Sequence, residues 1–135
     1  FGLDCFADDT GLEVPVLNNE PGVHSARYAG PQKNSLDNMN KLLTNLKNVT
    51  NRDAHFKTVI ALAISSEIKF FTGICKGIIT FEKKGNLGFG YDPIFKPTES
   101  SVSFAEMNSE EKNKISHRGI AIQKLVDFLL NLKTT

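Results

Sequence analysis

The sequence predicts an α/β fold on three observations. Short runs rich in apolar, β-branched and aromatic residues recur at 3–7, 55–64, 68–75 and 78–81. Two other stretches, 36–47 and 119–132, repeat apolar residues at helical spacing. Turn residues separate these segments, and no internal repeat or low-complexity tract interrupts them. With 135 residues, 40% of them hydrophobic, the chain is expected to form a single domain with its own core.

In order, Leu3, Cys5, Phe6 and Ala7 make an apolar run that meets Asp8-Asp9-Thr10-Gly11. Gly permits a sharp turn, so the strand is expected to end there and leave both carboxylates at the rim of a cleft. Leu12–Leu17 alternates as a short strand, and Pro15 limits it to an edge or to a strand with a bulge. Asn18–Gly22 is a loop, followed by Val23-His24-Ser25-Ala26-Arg27-Tyr28. Arg27 is suited equally to a phosphate or to an ion pair. Ser35 reads as the cap of a helix to about Lys47, with Leu36, Met39, Leu42, Leu43 and Leu46 on its core face. Residues 55–64, 68–75 and 78–81 then read as an antiparallel meander, turning at Ser65-Ser66-Glu67 and punctuated at Lys76-Gly77. His55 is read as structural. A helix start is expected at Ser109, giving a helix over 109–114, before the terminal helix.

Sixteen basic and fifteen acidic residues give a net charge of +1, which argues against a nucleic-acid coat or a polybasic membrane surface. No apolar run approaches the roughly 20 residues that span a bilayer, and the opening residues do not read as a signal peptide. Cys5 and Cys75 both lie in apolar segments and are expected to be reduced, which suits a cytoplasmic setting.

Three stretches carry chemistry. Asp8 and Asp9 offer hard oxygens of the kind Mg²⁺ takes. Gly88-Phe89-Gly90-Tyr91-Asp92-Pro93 combines a free backbone, flat aromatic faces and a carboxylate, a set suited to a nucleobase and its sugar. Lys112 and Lys114 through Ile115-Ser116-His117-Arg118-Gly119 gather cationic donors for phosphate or carbonyl oxygens. Acid, aromatic and basic patches together describe a nucleoside phosphate site better than any one alone. An RNA-binding aromatic strand is the weaker alternative, because Asp92-Pro93 would break it.

With Pro21-Gly22-Val23-His24-Ser25-Ala26-Arg27-Tyr28, these motifs resemble the inosine/xanthosine triphosphate pyrophosphatases, in the family's order and at similar spacing. The resemblance implies a twisted mixed sheet flanked by helices, with two lobes around a central cleft. It implies Mg²⁺-dependent cleavage of ITP, dITP or XTP to the monophosphate and pyrophosphate. Asp9 would be the proton acceptor and, with Asp8, the metal ligand. Thr10, Phe89, Gly90, Tyr91, Asp92 and Lys112 would bind substrate, and His117 and Arg118 would read the 6-oxo group. A homodimer is also implied.

Family members begin with a phosphate-cradling loop and a metal-binding Glu. The chain reads as about the C-terminal two-thirds of such a protein, so two other readings stand beside the first. One is a nucleotide-binding but catalytically impaired fragment. The other is a related pyrophosphatase for other modified nucleotides. The first reading requires Asp9, Phe89 and Arg118 to face one hollow.

Overall fold

A computed structural model describes residues 3–64 and 66–134. Strands β1 (Leu3–Val14), β2 (Glu20–Gly22), β3 (Asp53–Ile64), β4 (Glu67–Ile79) and β5 (Phe95–Pro97) form one sheet in the order β2-β1-β3-β4-β5. Helices α1 (Ser35–Asn45), α2 (Ser109–Ile115) and α3 (His117–Thr134) complete the fold. Every described strand pairing is antiparallel. The meander over β3 and β4 is as expected, and no parallel pair of a mixed sheet occurs among the described residues.

Two strands run further than their sequence suggests. β1 does not turn at Gly11: its register with β3 continues from Cys5↔Ala63 through Asp9↔Val59 and Gly11↔Lys57 to Glu13↔His55. Gly11 serves a close approach instead, since a Cβ there would meet the Gly22 carbonyl oxygen at 2.7 Å. Likewise β4 passes through Lys76-Gly77, where β5 pairs with it. The expected turn at 65–67 lies partly outside the described residues, because Ser65 is not among them; Ser66 adopts a left-handed φ of 68°.

Alternation in β3 buries Ala54, Phe56, Thr58, Ile60, Leu62 and Ile64 on one face. Both α1 and α3 pack on that face. Met39 and Leu42 of α1, with Leu46 just beyond it, join Leu12, Val14, Phe56, Phe95 and Phe104 in the core. Phe128 of α3 meets Phe71 with ring centroids 5.4 Å apart. The cap of α1 is Asn34 rather than Ser35, its side chain accepting from the Asp37 N–H. The opposite face leaves Ile68, Phe70, Ile74 and Ile78 exposed. Cys75 carries a free buried thiol, pushed up to about 11 by burial and then by Glu99; the Cys5 side chain lies outside the described residues. His55 pairs across strands with Glu13 at 2.6 Å, as a structural residue does. Among the described residues, no helix is long and apolar enough to cross a membrane.

Candidate active site

Three chain segments meet over the buried face near Leu12 and Phe56. Ser25 binds them together: its Oγ accepts from the Leu12 N–H at 2.9 Å and donates to the Gly22 carbonyl at 2.6 Å. Its own carbonyl accepts the Tyr91 hydroxyl at 2.7 Å. Asn38, buried on α1, accepts from the Ala29 N–H and donates to the Ala26 carbonyl. These bonds fix the walls of a cavity of about 320 Å³, at the small end of the usual range for ligand pockets.

The cavity is lined by Thr10, Phe89, Gly90, Tyr91, Asp92, Lys112, His117 and Arg118, drawn from three separate motifs. Phe89 is 74% exposed and so offers a free aromatic face. Behind it, Asp92 is only 3% exposed. Its Oδ2 lies 2.5 Å from Lys112 Nζ and accepts from the Phe89 N–H at 3.1 Å. Lys112 Nζ also sits 4.4 Å from the Phe89 ring centroid. Gly88 makes this turn possible: its φ is +73°, and a Cβ would meet Asp92 Oδ2 at 2.2 Å.

His117 and Arg118 open α3, where Ser116 Oγ accepts from the Gly119 N–H. That helix end presents partial positive charge beside the cavity. Arg118 donates to Asp8 Oδ2 at 2.5 Å and to Thr10 Oγ1 at 3.1 Å. A guanidinium has five N–H donors, so others stay free for a ligand. Thr10 Oγ1 in turn lies 2.8 Å from Thr58 Oγ1.

His117 stacks on Phe56 with centroids 4.6 Å apart, and its buried Nδ1 has no partner among the described residues. Burial first, then Lys112 and Arg118, pushes its pKa down to about 4. The ring is therefore neutral near pH 7. The unfolded chain takes up this proton below its ordinary value of 6.5, whereas the folded chain refuses it until about pH 4. The unfolded state thus binds more protons in that window, and stability falls as the pH drops through it. The gap is worth about 3 kcal/mol at most. Urea midpoints for the wild type should fall between pH 7 and pH 4.5, and His117→Gln should lose much of that dependence. An unchanged slope would contradict the assignment.

The two adjacent carboxylates do not behave as a pair. In a continuous strand, successive side chains point to opposite faces. Asp8 shares the face of Thr10 and pairs with Arg118, whereas Asp9 falls on the other face and does not line the cavity. Phe89 and Arg118 share one hollow as expected, but Asp9, next to the lining Thr10 and on the other face of β1, does not. The expectation that all three face one hollow is corrected to a hollow beside Phe89 and Arg118 with Asp9 at the neighbouring strand edge. The same alternation sets Asp8 and Asp9, the expected metal pair, on opposite faces of β1. The turn expected at Gly11 is corrected, because the strand continues there. Among the described residues, no group of three or more His, Cys, Asp or Glu is placed to hold a metal ion. Mg²⁺ needs no such cage when it takes one carboxylate together with phosphate oxygens and waters. Asp9 fits that use, being exposed and free of ion pairs among the described residues. Arg27 does not line the cavity.

Sequence reasoning missed Ser25, Lys33 and Asn38. Asn38 had a signal, since it is a polar residue on the apolar face of α1, one turn before Leu42. Lys33 had none.

An exposed ring, a buried carboxylate–ammonium pair, a neutral imidazole and a guanidinium around one cavity define a site for a flat, polar, anionic ligand. The Ham1 family model matches residues 1–128. The chain is 60% identical over 131 residues to the dITP/XTP pyrophosphatase of Flavobacterium psychrophilum, covering 97% of this chain and 69% of that protein. It is 54% identical over 134 residues to the dITP/XTP pyrophosphatase of Porphyromonas gingivalis, covering 98% and 69%. The solved Ham1 protein of Staphylococcus aureus superposes with a TM-score of 0.91 at 46% identity, covering 93% of this chain and 66% of that one. That of Coxiella burnetii gives 0.91 at 39% identity, with coverage of 96% and 68%. The chain belongs to the Ham1 family, and it spans about two-thirds of the length of these relatives.

Proposed function

We propose that this chain, like the relatives named dITP/XTP pyrophosphatase, acts on dITP and XTP, and that it also takes ITP, hydrolysing each to the nucleoside monophosphate and pyrophosphate. The observation that carries it is the convergence on one cavity of Phe89, the Asp92–Lys112 pair, His117 and Arg118. The purine stacks on Phe89. Its 6-oxo group accepts hydrogen bonds at the start of α3, from the donors that Arg118 keeps free and from His117 when its neutral ring presents its N–H there. Adenine places an amino donor at that position and leaves those donors unpaired, at a cost of about 1–3 kcal/mol each.

The triphosphate leaves the cavity over Thr10 and crosses the outer edge of β1. β2 pairs with β1 only at Leu12–Val14, so among the described residues this edge is open at Asp9–Gly11. The Thr10 N–H, on the same side of β1 as the Leu12 N–H that reaches Ser25, and the Asp9 carboxylate meet the chain of phosphates there. Asp9 orients a water and accepts its proton as the bond between the α and β phosphates breaks. Asp8 holds Arg118 in place. Asp9 would hold Mg²⁺ together with the phosphates, and the ion would supply neutralisation of the charge that develops on the phosphate oxygens. The described residues share one core, which supports a single domain corresponding to about the C-terminal two-thirds of the relatives. A cytoplasmic homodimer completes the reading, supported by exposed Ile122, Val126 and Leu130 at four-residue spacing on α3.

Product analysis tests it. With Mg²⁺, dITP and XTP should yield monophosphate and pyrophosphate, and dATP should turn over at least about tenfold less well. Arg118→Ala should reduce that preference. Release of single phosphate, or an unchanged ratio in the variant, would contradict it.

A further inference from the structure

The charged side chains lining the cavity are Lys33, Asp92, Lys112 and Arg118. Asp92 and Lys112 neutralise each other, and Asp8 offsets Arg118. Lys33 is different. Among the described residues its side chain has neither an ion pair nor a hydrogen bond. It is the one cavity-lining charged side chain without an ion pair among the described residues, and the acidic residue nearest to it in the chain is Asp37, in the first turn of α1.

The backbone sets this lysine in an unusual way. Its φ is +55°, a left-handed conformation that side-chain-bearing residues rarely adopt. A long 3.4 Å hydrogen bond runs from its N–H to the Gly30 carbonyl, and Gln32 beside it donates to Asp37 of α1 at 3.3 Å. A glycine would sit there without strain, so the lysine carries a conformational cost, as residues at ligand sites often do. The turn leads through the Asn34 cap into Ser35, which also lines the cavity. Lys33 and Ser35, at the N-terminus of the eleven-residue α1, thus share one wall.

We propose that Lys33 is a substrate-binding residue whose ammonium takes an oxygen of the phosphate attached to the sugar. This rests on the nucleotide reading above and adds a contact on the α1 wall, away from the three motifs. Lys33 is a compact, rotatable point charge, suited to a phosphate at a cavity mouth.

Calorimetric titration of dIMP and of deoxyinosine separates the possibilities, because the two ligands differ only by the phosphate. Lys33→Met should weaken dIMP about tenfold, the scale of one charge-assisted hydrogen bond at a partly exposed site, and leave deoxyinosine unchanged. Lys33→Gly, which relieves the backbone, should show the same loss. Lys33→Arg should stay within about threefold of the wild type. The deficit should shrink as salt is raised. Unchanged dIMP binding in Lys33→Met, or equal weakening of deoxyinosine, would overturn the assignment while leaving the nucleotide site standing. Failure of the wild type to bind either ligand would remove the nucleotide reading, and this contact with it.

Discussion

Asp9→Asn should reduce pyrophosphate release from dITP by about 10³-fold, the scale of a lost general base, with the melting temperature unchanged. The substitution keeps the shape of the side chain and removes its ability to accept a proton. Asp9 is exposed and has no ion pair among the described residues, so the fold loses little by it. Surface substitutions of this kind stay within about 0.5 kcal/mol. Parallel assays of turnover and thermal unfolding check both halves. Asp8→Asn makes the informative companion. It loosens Arg118, so it should alter the choice between dITP and dATP more than the chemical step. If Asp8→Asn abolished turnover and Asp9→Asn did not, the two roles would be exchanged.

Lys112→Met should be the most damaging substitution for the fold of the site. Methionine matches the length of the lysine stem but leaves the Asp92 carboxylate buried without its cation. Stranding a buried charge costs about 3–5 kcal/mol, which in a domain of this size lowers the melting temperature by on the order of 10 °C. The same loss loosens the turn from Gly88 to Asp92, since Asp92 holds the Phe89 N–H and Lys112 lies against the Phe89 ring. Nucleotide binding should fall with stability. Adding Asp92→Asn removes the stranded charge and should recover much of the melting temperature without recovering binding. A single variant as stable as the wild type would show that the pair carries little.

The cavity was legible in the sequence where chemistry is local. Phe89 to Asp92, Lys112, His117 and Arg118 belong to compact motifs whose residue types announce rings, acids and donors. Thr10 came with the acidic motif. Their common destination is a property of the fold, and the likeness to known pyrophosphatases supplied it. The backbone around the Asp pair was misread as a turn for a physical reason. Asp-Asp-Thr-Gly has the composition of a turn, yet Gly11 is there because Gly22, on a different strand, approaches it too closely for a Cβ. A contact of that kind leaves no local trace. The same holds at Lys76-Gly77, where β5 comes to lie beside β4. The helices were legible from their apolar stripes, but their caps slipped by a residue, because Asn34 and Ser35 are both competent caps and tertiary context chooses between them.

The most direct measurement is ¹⁵N NMR of the imidazole of His117, whose neutral ring has an unpartnered Nδ1 in the cavity wall. Titration with dIMP should shift the His117 nitrogens and broaden or shift the Phe89 ring signals together, and dAMP at the same concentration should do neither to the same extent. Equal responses to the two nucleotides, or a dIMP response that leaves His117 and Phe89 untouched, would contradict a purine-reading site in this cavity.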